Sequence, residues 1–138
     1  MIALILVDIQ NDFLPGGALA VKDGDQIIPL VNKLLPTFDL VVSTQDYHPE
    51  DHKSFASQHE NHEVGDQINL YGLPQRLWPD HCVEGTPGAD FADALEVDLI
   101  HKVFPKGTDP EIDSYSGFFD NGHRKDTGMG TYLNEKGA

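Results

Sequence analysis

The sequence predicts an α/β fold on a parallel sheet, and three observations carry that reading. Residues 2–7 are apolar without alternation, residues 39–44 and 98–103 form two further short apolar-rich runs, and helically spaced apolar residues separate the first two. A continuous run marks a strand covered on both faces, and strand followed by helix followed by strand is the grammar of a parallel crossover.

Taken in order, the first strand covers residues 2–7 and is cut off by Asp8. It has no basic start and is too short for a signal segment or a spanning helix. A loop containing Gly16 and Gly17 follows, and then Asp25 can cap a helix whose apolar positions Ile27, Ile28, Val31, Leu34 and Leu35 keep helical spacing, with Pro29 in its first turn. Residues 39–44 read as the second strand. Residues 46–89 then hold His48, His52, His59, His62 and His81 among turn formers with little periodicity, and a loop of that length inside a compact domain is usually functional. A short helix is expected around residues 90–95, a third strand over 98–103 and a last helix over 126–136. Gly137 after that helix leads one to expect a further strand.

At 138 residues the chain has the length of one domain, which buries about two thirds of its unfolded surface. Nine basic against 23 acidic residues leave a net charge of −14, which repels nucleic-acid phosphates and anionic lipid, so neither nucleic acid nor membrane is an expected partner. One cysteine excludes an internal disulfide and suits a reducing compartment, so the expected location is cytoplasmic.

Asp46 and His48, two apart at the end of the second strand, face one point if the chain turns there, and His81 from the distant loop closes one face of a coordination sphere. Three protein ligands leave open positions for chemistry. Surface histidines account for the same spacing as well, since seven of them in this chain produce Asp-x-His by chance. Asp8, Asp46 and Lys106 all follow predicted strands, and ligands of open parallel sheets bind beyond the carboxyl ends of strands. The competing reading makes Asp8 a loop cap and Lys106 a solvated charge. Cys82, beside Asp80 and His81, is a nucleophile candidate by composition, but it lies in a Pro-flanked loop without a strand-turn-helix context.

Val7-Asp8-Ile9-Gln10-Asn11-Asp12-Phe13, the stretch Trp-Pro-Asp-His-Cys-Val-Glu-Gly-Thr-Pro-Gly-Ala at 78–89, and Val103-Phe104-Pro105-Lys106-Gly107 ahead of Tyr115-Ser116-Gly117-Phe118 stand in one order along the chain. Together they resemble the nicotinamidases of the isochorismatase-like cysteine hydrolases, from Met1 to about Leu133. The resemblance implies a three-layer α/β/α, Rossmann-like domain and the hydrolysis of nicotinamide or an analogue to an acid and ammonia. It implies Asp8 as the base for a nucleophilic cysteine and Lys106 as the cation that favours the thiolate. Asp46, His48 and His81 match the metal ligands, His52 a position used only in some members, and Phe13, Trp78 and Tyr115 the aromatic pocket. Zinc is the expected metal, with iron or manganese accepting the same donors.

The family's nucleophile lies on a later strand-to-helix turn, so the resemblance implies that residues 1–138 are one incomplete hydrolase domain, inactive alone, with C-terminal strands and helices missing. The first strand is then a hydrophobic edge to be covered by a C-terminal fragment or a second copy. A related amidase, an isochorismatase-like hydrolase and a truncated non-catalytic metal-binding module are the alternatives.

Overall fold

A computed structural model describes all of residues 1–138. Three parallel strands, β1 (Ala3–Val7), β2 (Leu40–Asp46) and β5 (Lys102–Lys106), form a sheet in the order β1-β2-β5. Successive residues of β2 point to opposite faces, and each face is covered by a helix. On one side Val41 joins Leu6, Ile28 and Leu35 beneath α1 (Ile28–Leu34), and on the other Leu40 and Val42 join Phe104 and Met129 beneath α2 (Met129–Lys136). Helix, sheet and helix make three layers, as expected. The unbroken apolar run of β2 is explained by this double cover.

Pro29 sits in the first turn of α1, where its missing N–H costs no hydrogen bond. Asp25 does not cap this helix; it lies inside a 3-10 turn over Gly24–Ile27 that leads into it. Three other expectations are corrected. The third strand is displaced to Lys102–Lys106, because Asp98 and Leu99 belong to a 3-10 turn, and pairing with β2 begins with His101, whose Nδ1 accepts the Val41 N–H at 3.0 Å. Pro105 is tolerated because β5 is an edge of this sheet. Residues 90–95 form turns and a bridge from Phe91 to Gln10, not a helix. The last helix starts at Met129, not Asp126, after Gly128 at φ 82.

Residues 46–89 are not structureless either. An antiparallel hairpin, β3 (Gln67–Leu70) and β4 (Leu73–Arg76), turns through Tyr71 and Gly72 at φ 48 and 92. Two consecutive positive φ values give the tight hairpin turn that matches strand twist. No helix is long and apolar enough to cross a membrane.

Candidate active site

Asp8, Asp46 and Lys106 come together at the carboxyl ends of β1, β2 and β5. Pairing of β1 with β2 ends at Val7 opposite Thr44, and Asp8 then takes φ 52 and leaves the ladder. Thr44 holds it there: its Oγ1 accepts the Asp8 N–H at 3.2 Å and donates to Asp8 Oδ1 at 2.6 Å. Lys106, opposite Asp46 in the register of β2 with β5, donates to Asp8 Oδ2 at 3.1 Å, to Asp46 Oδ1 at 3.0 Å and to the Ser114 carbonyl at 3.0 Å. All three ammonium hydrogens are used. Burial disfavours the charge on Lys106, but Asp46 and Asp8 outweigh it and raise its pKa above the ordinary lysine value.

The other Asp46 oxygen faces the imidazoles, with His48 Nε2 at 3.0 Å and His81 Nε2 at 3.3 Å from Oδ2. His81 arrives because the segment after it pairs with His48 in a single parallel bridge just beyond the end of β2. The Cys82 carbonyl accepts the His48 N–H at 2.9 Å, and the Glu84 N–H donates to the His48 carbonyl at 2.8 Å. Each ring is oriented from behind: His48 Nδ1 donates to the Gly107 carbonyl and His81 Nδ1 to the Pro79 carbonyl, both at 2.7 Å. Both Nε2 atoms thereby face Asp46, and the three side chains form a donor set, supported from outside, that could hold a divalent metal ion. Phe55, fully buried, packs its ring edge-wise at 5.5 Å from each imidazole.

A proton competes for the same point. Burial disfavours imidazolium at His48, yet the hydrogen bond and charge of Asp46 outweigh it, and the His48 pKa lies above the ordinary value. Burial likewise favours the neutral form of Asp46, but hydrogen bonds from His48 and His81 and the charges of His48 and Lys106 hold its carboxyl well below the usual range. His52 lies 4.4 Å from the His48 ring, centroid to centroid, but both its nitrogens are engaged. Nδ1 accepts from Ser54 Oγ at 2.8 Å and Nε2 donates to the Ile112 carbonyl at 3.2 Å. Burial, then the charge of His48, push its pKa down to about 4. Its ligand atom also lies within 4.8 Å of those of His48 and Asp113, but with both nitrogens bonded it supports the site from outside.

Phe13, Trp78 and Tyr115 line one cleft of about 210 Å³ together with Asp8, His81 and Lys106. Trp78 Nε1 and Gln75 Nε2 donate to the Tyr115 hydroxyl at 3.3 and 3.1 Å, which ties the aromatic wall to the hairpin. Cys82, next to His81 in the chain, is fully buried, does not line this cleft, has φ 46, and its N–H donates to Asp12 Oδ2 at 2.7 Å. Burial, reinforced by the charges of Asp46, Asp12 and Asp8, raises its thiol pKa and keeps it protonated.

Sequence reasoning missed Gln10, Asp12, Thr44, Phe55 and Gly107 as individuals. Gly107 alone carried a local signal, a glycine directly after a strand residue. Its φ is 65, and a Cβ there would lie 2.4 Å from His48 Cε1.

A family profile described as the isochorismatase domain matches residues 2–137. The nicotinamidase of Acinetobacter baylyi is 48% identical over 135 residues, covering 98% of this chain and 63% of that protein. The chain thus spans less than two thirds of that relative's length. The crystal structure of the yeast nicotinamidase bound to the inhibitor nicotinaldehyde superposes with a TM-score of 0.93 at 32% identity, over 100% of this chain and 71% of that one. The pyrazinamidase of Pyrococcus horikoshii in complex with zinc gives a TM-score of 0.72 at 39% identity, over 98% of this chain and 64% of that one.

Proposed function

Because the chain belongs to the isochorismatase family, we propose that it carries the base, the lysine, the metal ligands and the aromatic pocket of a nicotinamidase, which hydrolyses nicotinamide to nicotinate and ammonia in pyridine-nucleotide salvage in the cytoplasm. The observation that carries this reading is one cleft in which Lys106 bridges Asp8 and Asp46 while Asp46 also faces His48 and His81. A relative named nicotinamidase at 48% identity and a neighbour holding nicotinaldehyde favour a pyridine carboxamide as substrate. The zinc complex of the Pyrococcus horikoshii neighbour favours zinc.

In this proposal Phe13, Trp78 and Tyr115 enclose the pyridine ring. Asp46, His48 and His81 would hold a zinc ion, which would supply a Lewis acid to this cleft. Asp8 takes the proton of a thiol, and Lys106 stabilises the thiolate and the charge that develops as it attacks the carboxamide carbon. The carbon–nitrogen bond breaks, the proton held by Asp8 passes to the departing nitrogen, and ammonia leaves. Water then cleaves the thioester, with Asp8 accepting its proton. Cys82 is buried and its thiol stays protonated, so the reacting thiol is assigned outside residues 1–138.

A hybrid chain tests this reading. Residues 1–138 joined to the part of the Acinetobacter baylyi relative that they do not match should release ammonia from nicotinamide, and the 138 residues alone should not. Asp8→Asn in the hybrid should abolish turnover with metal content unchanged. A folded, zinc-loaded hybrid that leaves nicotinamide intact, or near-normal turnover by its Asp8→Asn variant, would sink the assignment.

A further inference from the structure

We propose that Gln10 is a positioning residue that sets the metal ligands Asp46 and His81 against the base Asp8, an inference that rests on the roles assigned above. The first observation is a gap in the sheet. The β1 ladder ends at Val7 because Asp8 turns out of it at φ 52, so the β1-facing N–H and C=O of Asp46 have no strand opposite them. The Gln10 side chain takes the place of that strand. Its Oε1 accepts the Asp46 N–H at 2.8 Å and its Nε2 donates to the Asp46 carbonyl at 2.7 Å.

The second observation is the remaining amide hydrogen, which Nε2 donates to the Ala89 carbonyl at 2.8 Å. Ala89 closes the segment that begins with His81, and its position is shared with Gln45, whose Nε2 reaches the same oxygen at 3.0 Å. Gln10 is 0% exposed, and two carbonyls and one N–H fix which end of its amide is which. One side chain thus joins the exit of β1, the metal-bearing end of β2 and the loop of the third ligand. No other residue type of this size offers two donors and an acceptor in one plane. Glutamate has no donor when ionised, and methionine has neither.

Support of this kind behind metal ligands is worth about 10- to 100-fold in metal affinity. The experiment compares the 138-residue protein with Gln10→Met, Gln10→Glu and the control Gln45→Met, which removes only the second contact to Ala89. Zinc affinity is read by competition with a chromophoric chelator, the visible spectrum of the cobalt form reports the ligand field, and a thermal midpoint is recorded for each. The expected result is a 10- to 100-fold affinity loss and a changed cobalt spectrum for both Gln10 variants, with Gln45→Met within about twofold of the parent. Where Gln10→Met does not fold, Gln10→Glu is read instead. Lowered thermal midpoints with parental zinc affinity and an unchanged cobalt spectrum overturn the inference and leave the metal site standing. A parent protein that holds no zinc, or holds it equally well as His81→Ala, overturns the metal assignment and this inference with it.

Discussion

The candidate site is built from two regions that differ in how firmly they are held. Asp8, Asp46 and Lys106 sit at strand ends, and Asp46, His48 and Lys106 are buried with their polar atoms taken up by named partners. Phe13 and Trp78 are half-buried and Tyr115 is 57% exposed; Phe13 closes a short 3-10 turn, and the other two lie outside the named strands and helices. Groups that exchange protons or bind metal need fixed geometry within a few tenths of an ångström, and strand ends supply it. Ring recognition is tolerant of small displacement and can be left to loops.

The sharpest way to break this contrast is Lys106→Met. It leaves Asp8 and Asp46 facing each other without their shared cation, and an uncompensated buried charge costs about 3–5 kcal/mol. The expected outcome is a chain whose unfolding free energy from denaturant titration falls by that amount, far more than for any change in the aromatic wall. A loss below about 1 kcal/mol would mean that the strand-end cluster is not held through its lysine.

The metal ligands test the boundary, since His81 comes from a loop yet is oriented like a strand-end residue. His81→Ala should lose most of the bound zinc by elemental analysis of the purified protein. Acidity should weaken binding in the parent too, because the ion must displace the proton that Asp46 holds on His48. While that proton is present, zinc affinity should fall about tenfold per pH unit. Without zinc the sign is opposite for folding. A raised His48 pKa contributes stability that is present below its unfolded value of 6.5 and lost as pH rises through the folded value. His52, depressed to about 4, behaves in the other sense: its neutral burial costs stability as pH falls from 6.5, and the cost levels off below about 4.

The strand-end region was largely legible in the sequence and the rest less so, for a physical reason. Asp8 and Asp46 each close an apolar run, which is a local signal, and Lys106 was placed at a strand end even though the expected strand ran four residues early. That shift arose because Asp98, Leu99 and Ile100 look like strand residues, whereas pairing with β2 starts only at His101. Gln10 and Asp12 act on Asp46 and Cys82, 36 and 70 residues away, through hydrogen bonds that no local pattern announces. The hairpin escaped notice because Tyr71, not asparagine or glycine, takes its first positive φ.

The smallest predicted effect lies in the aromatic wall. Tyr115→Phe keeps the ring and removes the oxygen that accepts from Gln75 Nε2 and Trp78 Nε1. Gln75 retains the Arg76 carbonyl at 2.7 Å, and Trp78 is half-buried with water within reach, so neither donor is left stranded. A lost hydrogen bond with solvent compensation costs about 0.5–1 kcal/mol, and the unfolding free energy should fall by no more than that. Binding should respond as well as folding, because freeing the Trp78 indole loosens the wall proposed to enclose the ring. Calorimetric titration of nicotinamide into the zinc-loaded protein should show an affinity loss of about two- to fivefold, the equivalent of that same energy. A loss of a hundredfold or more would place Tyr115 with the rigid strand-end groups and erase the contrast between the two regions.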